Sequence, residues 1–255
     1  ASAANTGVVT VGTGGGTGFE TVNIVSTGSA STIGELASGA TTINVSGAAN
    51  LTVTADIEAT TDVLNASGLN GNLSVTLANT GGERPDGDAV NDLADLTVTG
   101  GAGNDTIDGT ALATTTLEYA IDGGTGNDTI TIGDTPDNAS TTNVGDVYAG
   151  GEGTADVLVA DVDLVDAVAV TTALTGVSGF ETLSLIGFAA GADTVTVANI
   201  QADLAAVAVS TATAADLTIA FGSGTYAVSI GPTAATLDDD TLTVTSSGTA
   251  TTDVL

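Results

Sequence analysis

The sequence predicts an all-β chain wound as a parallel β-helix or β-roll-like solenoid, with β-sandwich modules as the alternative. Three observations carry that expectation. Most apolar runs are four to six residues long, alternate with Thr or Ser, and are bounded by Gly, Asn or Asp. Helical periodicity is scarce throughout the 255 residues. Glycine-acid turns recur between the runs, and turns of that kind favour a stack in which every rung pairs with its neighbours over a sandwich.

In chain order, the first strand expected is Val8–Val11, followed by one opened by Gly18-Phe19-Glu20-Thr21-Val22. Further strands are expected at Ile43–Ser46, Leu51–Thr54, Val63–Asn65, Leu73–Ala78, Leu96–Thr99, Thr106–Asp108, Leu117–Ile121, Thr129–Ile132, Val157–Ala160 and Val168–Thr171. The opening phrase then returns as Gly179-Phe180-Glu181-Thr182-Leu183, and Thr194–Ala198, Val207–Ser210, Leu217–Phe221, Tyr226–Ile230 and Thr241–Ser246 follow it. Because similar strands follow both copies, the phrase reads as a long internal duplication. Phe19 and Phe180 are expected to plug the core, and Glu20 and Glu181 to face solvent or brace turns, with a calcium role as their alternative. Single helical turns are expected at Ile33–Ala37 and Ile200–Ala208. The chain divides into an N-terminal solenoid portion (1–95), a segment of glycine-acid turns (96–161) and a C-terminal solenoid portion (162–255), all in one elongated unit.

The middle segment carries the chemistry. Its turns are Gly100-Gly101-Ala102-Gly103-Asn104-Asp105-Thr106-Ile107-Asp108, Gly123-Gly124-Thr125-Gly126-Asn127-Asp128-Thr129-Ile130-Thr131 and Gly150-Gly151-Glu152-Gly153-Thr154-Ala155-Asp156-Val157-Leu158. The first two agree at seven of nine positions and fit G-G-x-G-x-D-x-U-x. Glycine permits positive φ and lets backbone carbonyls crowd together, while Asn and Asp tolerate tight turns and supply oxygen. An all-oxygen donor set suits a hard cation with six to eight ligands, so Ca2+ is the expected cofactor. Zinc, copper and haem are not expected, because the chain has neither His nor Cys. The candidate ligating and framing residues are Gly101, Gly103, Asn104, Asp105 and Asp108, then Asp122, Gly124, Gly126, Asn127 and Asp128, then Gly151, Gly153 and Asp156. In the third turn Ala155 takes the usual Asp place and Asp156 comes one residue late. The copies begin at 100, 123 and 150, a spacing that suits long rungs with one calcium turn at a corner.

Composition narrows the function. The chain carries 31 acidic residues, 24 of them Asp, against a single base, Arg84. Phosphate backbones need Lys and Arg, so nucleic acid is excluded as a partner, and anionic membrane surfaces are disfavoured. A net charge of −30 opposes compaction unless counterions bind. A saline habitat is a second cause for the acidity, compatible with the first. The apolar residues are mainly Ala, Val, Leu and Ile, with no Trp or Met, and 47 Thr favour strands. Few aromatics argue against a sugar-stacking face. Without His or Lys as a base, enzymatic activity is not expected. No cationic leader opens the sequence and no stretch approaches membrane-span length, so a mature or excised segment is expected.

Three other acid clusters stand apart: Asp86, Asp88, Asn91, Asp92 and Asp95; Asp134, Asp137, Asn138 and Asp146; and Asp238-Asp239-Asp240. For the first two, a second kind of calcium site and a solvated loop weigh equally; the third reads as a solvated turn. Asp-Val-Leu occurs at 62–64, 156–158 and 253–255, and in its first two uses it opens a strand.

The turns, with Leu64-Asn65-Ala66-Ser67-Gly68-Leu69-Asn70-Gly71-Asn72-Leu73 before them and Leu174-Thr175-Gly176-Val177-Ser178-Gly179-Phe180-Glu181 after, resemble RTX-type calcium-binding proteins. Within that group they look most like calcium-dependent bacterial surface-layer proteins. The resemblance spans most of residues 19–186. It implies type I secretion, calcium-driven folding outside the cell and self-assembly into a sheet or filament at the cell surface. Cell-surface polysaccharide stands as a further candidate partner. An adhesin module, or the calcium-binding tail of a larger secreted protein, is the alternative. In that family the turn Asp and the glycine carbonyls bind the ion, a role that falls here on Asp105 and Asp128.

Overall fold

The computed structural model describes residues 8–11, 20–38, 40–57, 60–78, 96–112, 118–136, 145–166, 173–187, 193–210, 216–222, 226–230 and 242–246. They form a parallel β-solenoid of about 7 turns with little helix. Every strand pairing among them is parallel. A sandwich built of antiparallel hairpins is thereby set aside.

One nine-stranded sheet runs the length of the stack. From one end it takes Ser31–Ile33, Leu51–Ile57, Leu73–Ala78, Thr106–Ala111, Thr129–Thr131, Val157–Asp161, Thr182–Ile186, Ala206–Val209 and Ala227–Ile230. A seven-stranded sheet accompanies it from Thr21–Ser26 to Val177–Ser178. A separate three-stranded sheet, Asp193–Thr196, Leu217–Phe221 and Leu242–Ser246, packs on the helical turn Val162–Val165 and forms a further face. Val8–Val11 and Glu35–Ser38 pair separately.

In-register stacking puts like side chains above like. On the long sheet Val75, Ile107, Ile130, Leu158, Leu183 and Val207 form one buried column. On the short sheet Val22, Ile43, Leu64, Val98, Ile121, Tyr148 and Val177 form another. The alternate residues, mostly Thr, Ser, Asn and Ala, face outward. Rungs about 4.8 Å apart stack branched aliphatics in register, and Tyr119, Tyr148 and Phe180 are the largest side chains wholly buried among them.

Leu73–Ala78, Leu96–Thr99 and Leu217–Phe221 fall where the sequence places them. The helical turn expected at Ile33–Ala37 is instead two strands, Ser31–Ile33 and Glu35–Ser38; sheet pairing overrides a weak local preference. The other expected helical turn lies earlier, at Val197–Ile200, and Ala206–Val209 is a strand. The short strands Val147–Ala149 and Val177–Ser178 and the helical turn Val162–Val165 carry no clear sequence signal. The strand expected at Val168–Thr171 lies outside the described residues, as do Phe19, Arg84, the Asp86–Asp95 cluster, Asp137, Asn138, Asp238–Asp240 and the last Asp-Val-Leu.

The two Gly-Phe-Glu-Thr phrases do not occupy equivalent faces. The first leads into Thr21–Ser26 on the short sheet, the second into Thr182–Ile186 on the long one. The strands that follow shift likewise: Thr42–Gly47 is on the short sheet and Leu51–Ile57 on the long one, whereas Ala206–Val209 is on the long sheet and Leu217–Phe221 on the three-stranded one. The second set therefore lies one face further round the solenoid. Phe180 is buried as expected.

Candidate metal centre

The three glycine-acid turns sit one above another at the corner where the short sheet passes into the long one. Pairing of Thr106 with Thr129 and of Thr129 with Val157 brings Asp105, Asp128 and Asp156 into one column. Asp156 is thus in step with the others, and its extra preceding residue is absorbed within the turn. All three are buried, at 1%, 1% and 0% exposure.

Backbone N–H groups from the neighbouring rung hold each carboxylate. The N–H of Leu73 donates to Asp105 Oδ1, that of Asp105 to Asp128 Oδ1, and that of Asp128 to Asp156 Oδ1, each at 2.7 Å. Asp105 Oδ2 also accepts from the N–H of Gly101 within its own turn. No such bond reaches Oδ2 of Asp128 or Asp156, and both atoms are buried without a hydrogen-bond partner. Burial raises the pKa of Asp105 against the two donated N–H bonds. Burial likewise pushes Asp128 up to about 7, with the charges of Asp105, Asp156 and Asp122 adding to it. Asp156 is raised by burial and by the charge of Glu181. Arg84, the sole basic side chain of the sequence, lies outside the described residues.

The glycines are required by the stacking itself. A Cβ on Gly126 would meet Gly103 O at 2.1 Å, and one on Gly151 would meet Gly124 O at the same distance. Gly124, Gly126 and Gly151 also have positive φ; Gly101, Gly103 and Gly153 do not, and are glycine for close approach alone. A Cβ on Gly123 would sit 2.5 Å from both Asp128 Oδ2 and Gly150 O. One on Gly153 would sit 2.1 Å from Gly126 O and 2.5 Å from Asp156 Oδ2. Each unpartnered carboxylate oxygen therefore lies on the same crowded side of a glycine as a carbonyl oxygen from a neighbouring rung. A hard cation at the second or third turn would find carboxylate and carbonyl oxygens as donors. The first turn offers fewer, since both Asp105 oxygens are engaged.

The remaining sequence-predicted residues have other surroundings. Asn104 and Asn127 belong to an exposed side-chain ladder. The N–H of Asn72 donates to Asn50 Oδ1, that of Asn104 to Asn72 Oδ1, that of Asn127 to Asn104 Oδ1 and that of Thr154 to Asn127 Oδ1. Asp122 Oδ1 accepts from the N–H of Gly124, bracing the second turn from its entrance. Asp108 faces outward on its strand and accepts from the N–H and hydroxyl of Thr110; it is not brought to the column.

Glu181 joins the column although it lies outside any nonapeptide. Thr182 pairs with Val157, which sets Glu181 beside Asp156, and Glu181 Oε2 accepts from the Asp156 N–H at 2.7 Å. The signal in the sequence is an acid immediately before a strand: Asp105-Thr106-Ile107, Asp128-Thr129-Ile130, Asp156-Val157-Leu158, Glu181-Thr182-Leu183.

Two further acidic groups lie past the far ends of the long-sheet strands. Asp134 is buried and accepts from the Tyr148 hydroxyl at 2.8 Å, and Asp146, also buried, accepts from the N–H of Tyr119. Burial, then the charges of these two acids, holds the Tyr148 hydroxyl well above the usual tyrosine range. Asp193 is buried and raised, first by burial and then by the charges of Asp163 and Asp161. Among the described residues no three acidic side chains gather into one metal-binding group. An ion at the column would draw most of its ligands from the backbone. No described helix is long and apolar enough to cross a membrane. In comparison with known proteins the chain matches no family model, no curated protein and no solved structure.

Proposed function

We propose that this is a calcium-stabilised structural protein that associates with its own copies at the bacterial cell surface, in a layer or filament. The observation that carries the reading is the buried column of Asp105, Asp128 and Asp156, two of whose oxygens have no partner. Carboxylates cannot be left charged and unpaired in a dry interior without large cost. Protons or cations must answer them, and the described residues hold no basic side chain. Glycine carbonyls beside the free oxygens supply a calcium-like donor set.

When bound, calcium supplies positive charge and ties oxygens of successive rungs together. Asp128 and Asp156 would hold it through Oδ2, with the carbonyls of Gly150 and Gly126 beside them; Asp105 anchors the column's first rung. Extracellular sites commonly bind at about 10⁻⁴–10⁻³ M, so folding tracks ambient calcium by mass action. Surface location and type I secretion rest on the resemblance of the turns to RTX-type surface-layer proteins.

Circular dichroism, calorimetric calcium titration and electron microscopy, each with and without chelator, test the reading. Calcium-dependent sheet content, saturable binding and calcium-dependent assemblies are expected. Chelation without effect on either signal or particle size would remove it. Calcium binding by a chain that stays monomeric would instead favour a stiffening module of a larger secreted protein.

A further inference from the structure

We propose that a second copy of this chain docks on the outer face of the nine-stranded sheet, between the Thr129–Thr131 and Ala227–Ile230 strands. The proposal rests on the self-association reading above and names the surface that carries it.

Charge selects the face. The described residues include many acids and no basic side chain. Two copies therefore have no ion pair to form, and they can touch closely only where neither presents a carboxylate. Within these five strands the outward positions form two uncharged columns. Val157, Thr182 and Ala206 stand in one, Val159, Ser184 and Ala208 in the other, all half-buried. Acids mark the limits of the patch. Asp108 pairs with Thr131 one strand earlier, and Asp161 closes the edge, its Oδ1 accepting the Asp163 N–H. The outer face of the short sheet is less suited to drying. Asp122 stands within it, and Asn44 Nδ2 donates to Asn23 Oδ1 there at 3.0 Å.

Shape fits the same occupant. Val157 and Val159 lie one rung to one side of Thr182 and Ser184, and Ala206 and Ala208 one rung to the other. A two-fold axis along the Thr182–Ser184 segment sets the two valines of each copy over the two alanines of the other, large on small. It also brings Asp161 over Ser210 of the second copy, so no acid meets an acid. Five rungs about 4.8 Å apart, on strands about five residues long, present roughly 400 Å² per copy and roughly 800 Å² across the pair. A stable dimer buries more, so the contact is weak and reversible alone. Repeated between many copies side by side it gains strength by multivalency, as a layer requires.

Sedimentation velocity of the full chain in calcium, over a range of protein concentrations, tests the face. Ser184 lies on the axis and so meets its own counterpart. Ser184→Asp and Ser184→Lys are each expected to weaken association by at least about tenfold, because like charges then face each other. An equimolar mixture of the two is expected to restore it. Thr97→Asp, on the outer face of the short sheet, is the control and should associate as wild type does. Circular dichroism checks that each variant is folded, and the pair Thr182→Glu and Thr182→Lys stands in if the Ser184 variants are not. Wild-type association in the acidic variant, or no recovery in the mixture, would overturn this face and leave the assembly reading standing. A wild-type chain that binds calcium yet stays monomeric at every concentration would remove the assembly reading, and this face with it.

Discussion

Asp105 and Asp128 are joined across two rungs: the N–H of Asp105 donates to Oδ1 of Asp128 at 2.7 Å, and both side chains are almost wholly buried. A carboxylate thus replaces a carbonyl as the acceptor for a rung-to-rung bond, at the corner where the sheet ladder is interrupted. The arrangement places like charges at the spacing of the rungs. It is stable only when those charges are cancelled, which makes the column responsive to protons and to cations.

The first consequence is a dependence on pH in chelator. The folded pKa of Asp128 is about 7, against an ordinary carboxylate value of 3.8, and Asp105 and Asp156 are raised as well. A raised acid binds more protons folded than unfolded, so its contribution to stability is full below the unfolded pKa and is lost as pH rises through the folded one. The metal-free chain is expected to lose stability steadily from about pH 4 to pH 7, each such carboxylate adding a slope of up to about 1.4 kcal/mol per pH unit within its own window. Thermal unfolding across that range checks it. Saturating calcium should flatten or reverse the slope.

Asp128→Asn separates charge from geometry. The amide oxygen can still accept the Asp105 N–H, while the buried charge is gone. In chelator at pH 8 the variant is expected to melt higher than wild type; in calcium it should gain less than wild type does. Differential scanning calorimetry in both conditions decides the matter, and an undiminished calcium gain would exclude Asp128 as a ligand.

Much of this is legible in the sequence, and the physical reason is periodicity. Alternation of apolar residues with Thr marks the Leu73–Ala78 strand correctly to its last residue, because a half-buried strand leaves no choice of face. Asp105 and Asp128 stand out because a stacked turn admits only glycine at fixed places around them. Glu181 reads from sequence first as solvent-facing or turn-bracing, with a calcium role as the alternative, because its turn is shortened; the register with Asp156 is what reveals its place. The shift of the second Gly-Phe-Glu-Thr copy to another face is equally hidden. Local sequence states that a strand begins, and the face it joins is set by the lengths of the preceding loops.

Stacking and backbone conformation make separable demands at glycine. Gly126 needs both, with φ at 126° and a carbonyl 2.1 Å from any added Cβ. Gly28 has φ at 80° but nothing within 4 Å. Gly28→Ala is expected to cost about 1–2 kcal/mol, the penalty of a left-handed residue alone, whereas Gly126→Ala should exceed about 3 kcal/mol because the rungs must part. Urea melts of both variants in calcium provide the comparison. Equal losses would mean that rung contact at Gly126 contributes little.

Tyr148 offers a probe of the interior away from the column. Its hydroxyl donates to buried Asp134 at 2.8 Å, and ionising it would set two negative charges together in a dry space. Its pKa is therefore well above the ordinary tyrosine range, and the hydroxyl should ionise only when alkali unfolds the chain. Ultraviolet titration is expected to show a late tyrosinate step that coincides with loss of the sheet signal and is reduced in Tyr148→Phe. The same substitution removes a hydrogen bond to a buried carboxylate, at an expected cost of about 1–3 kcal/mol. Ionisation of Tyr148 while the sheet remains intact would mean that the Asp134 corner admits water or a cation, and that the solenoid interior is not closed at this end of its rungs.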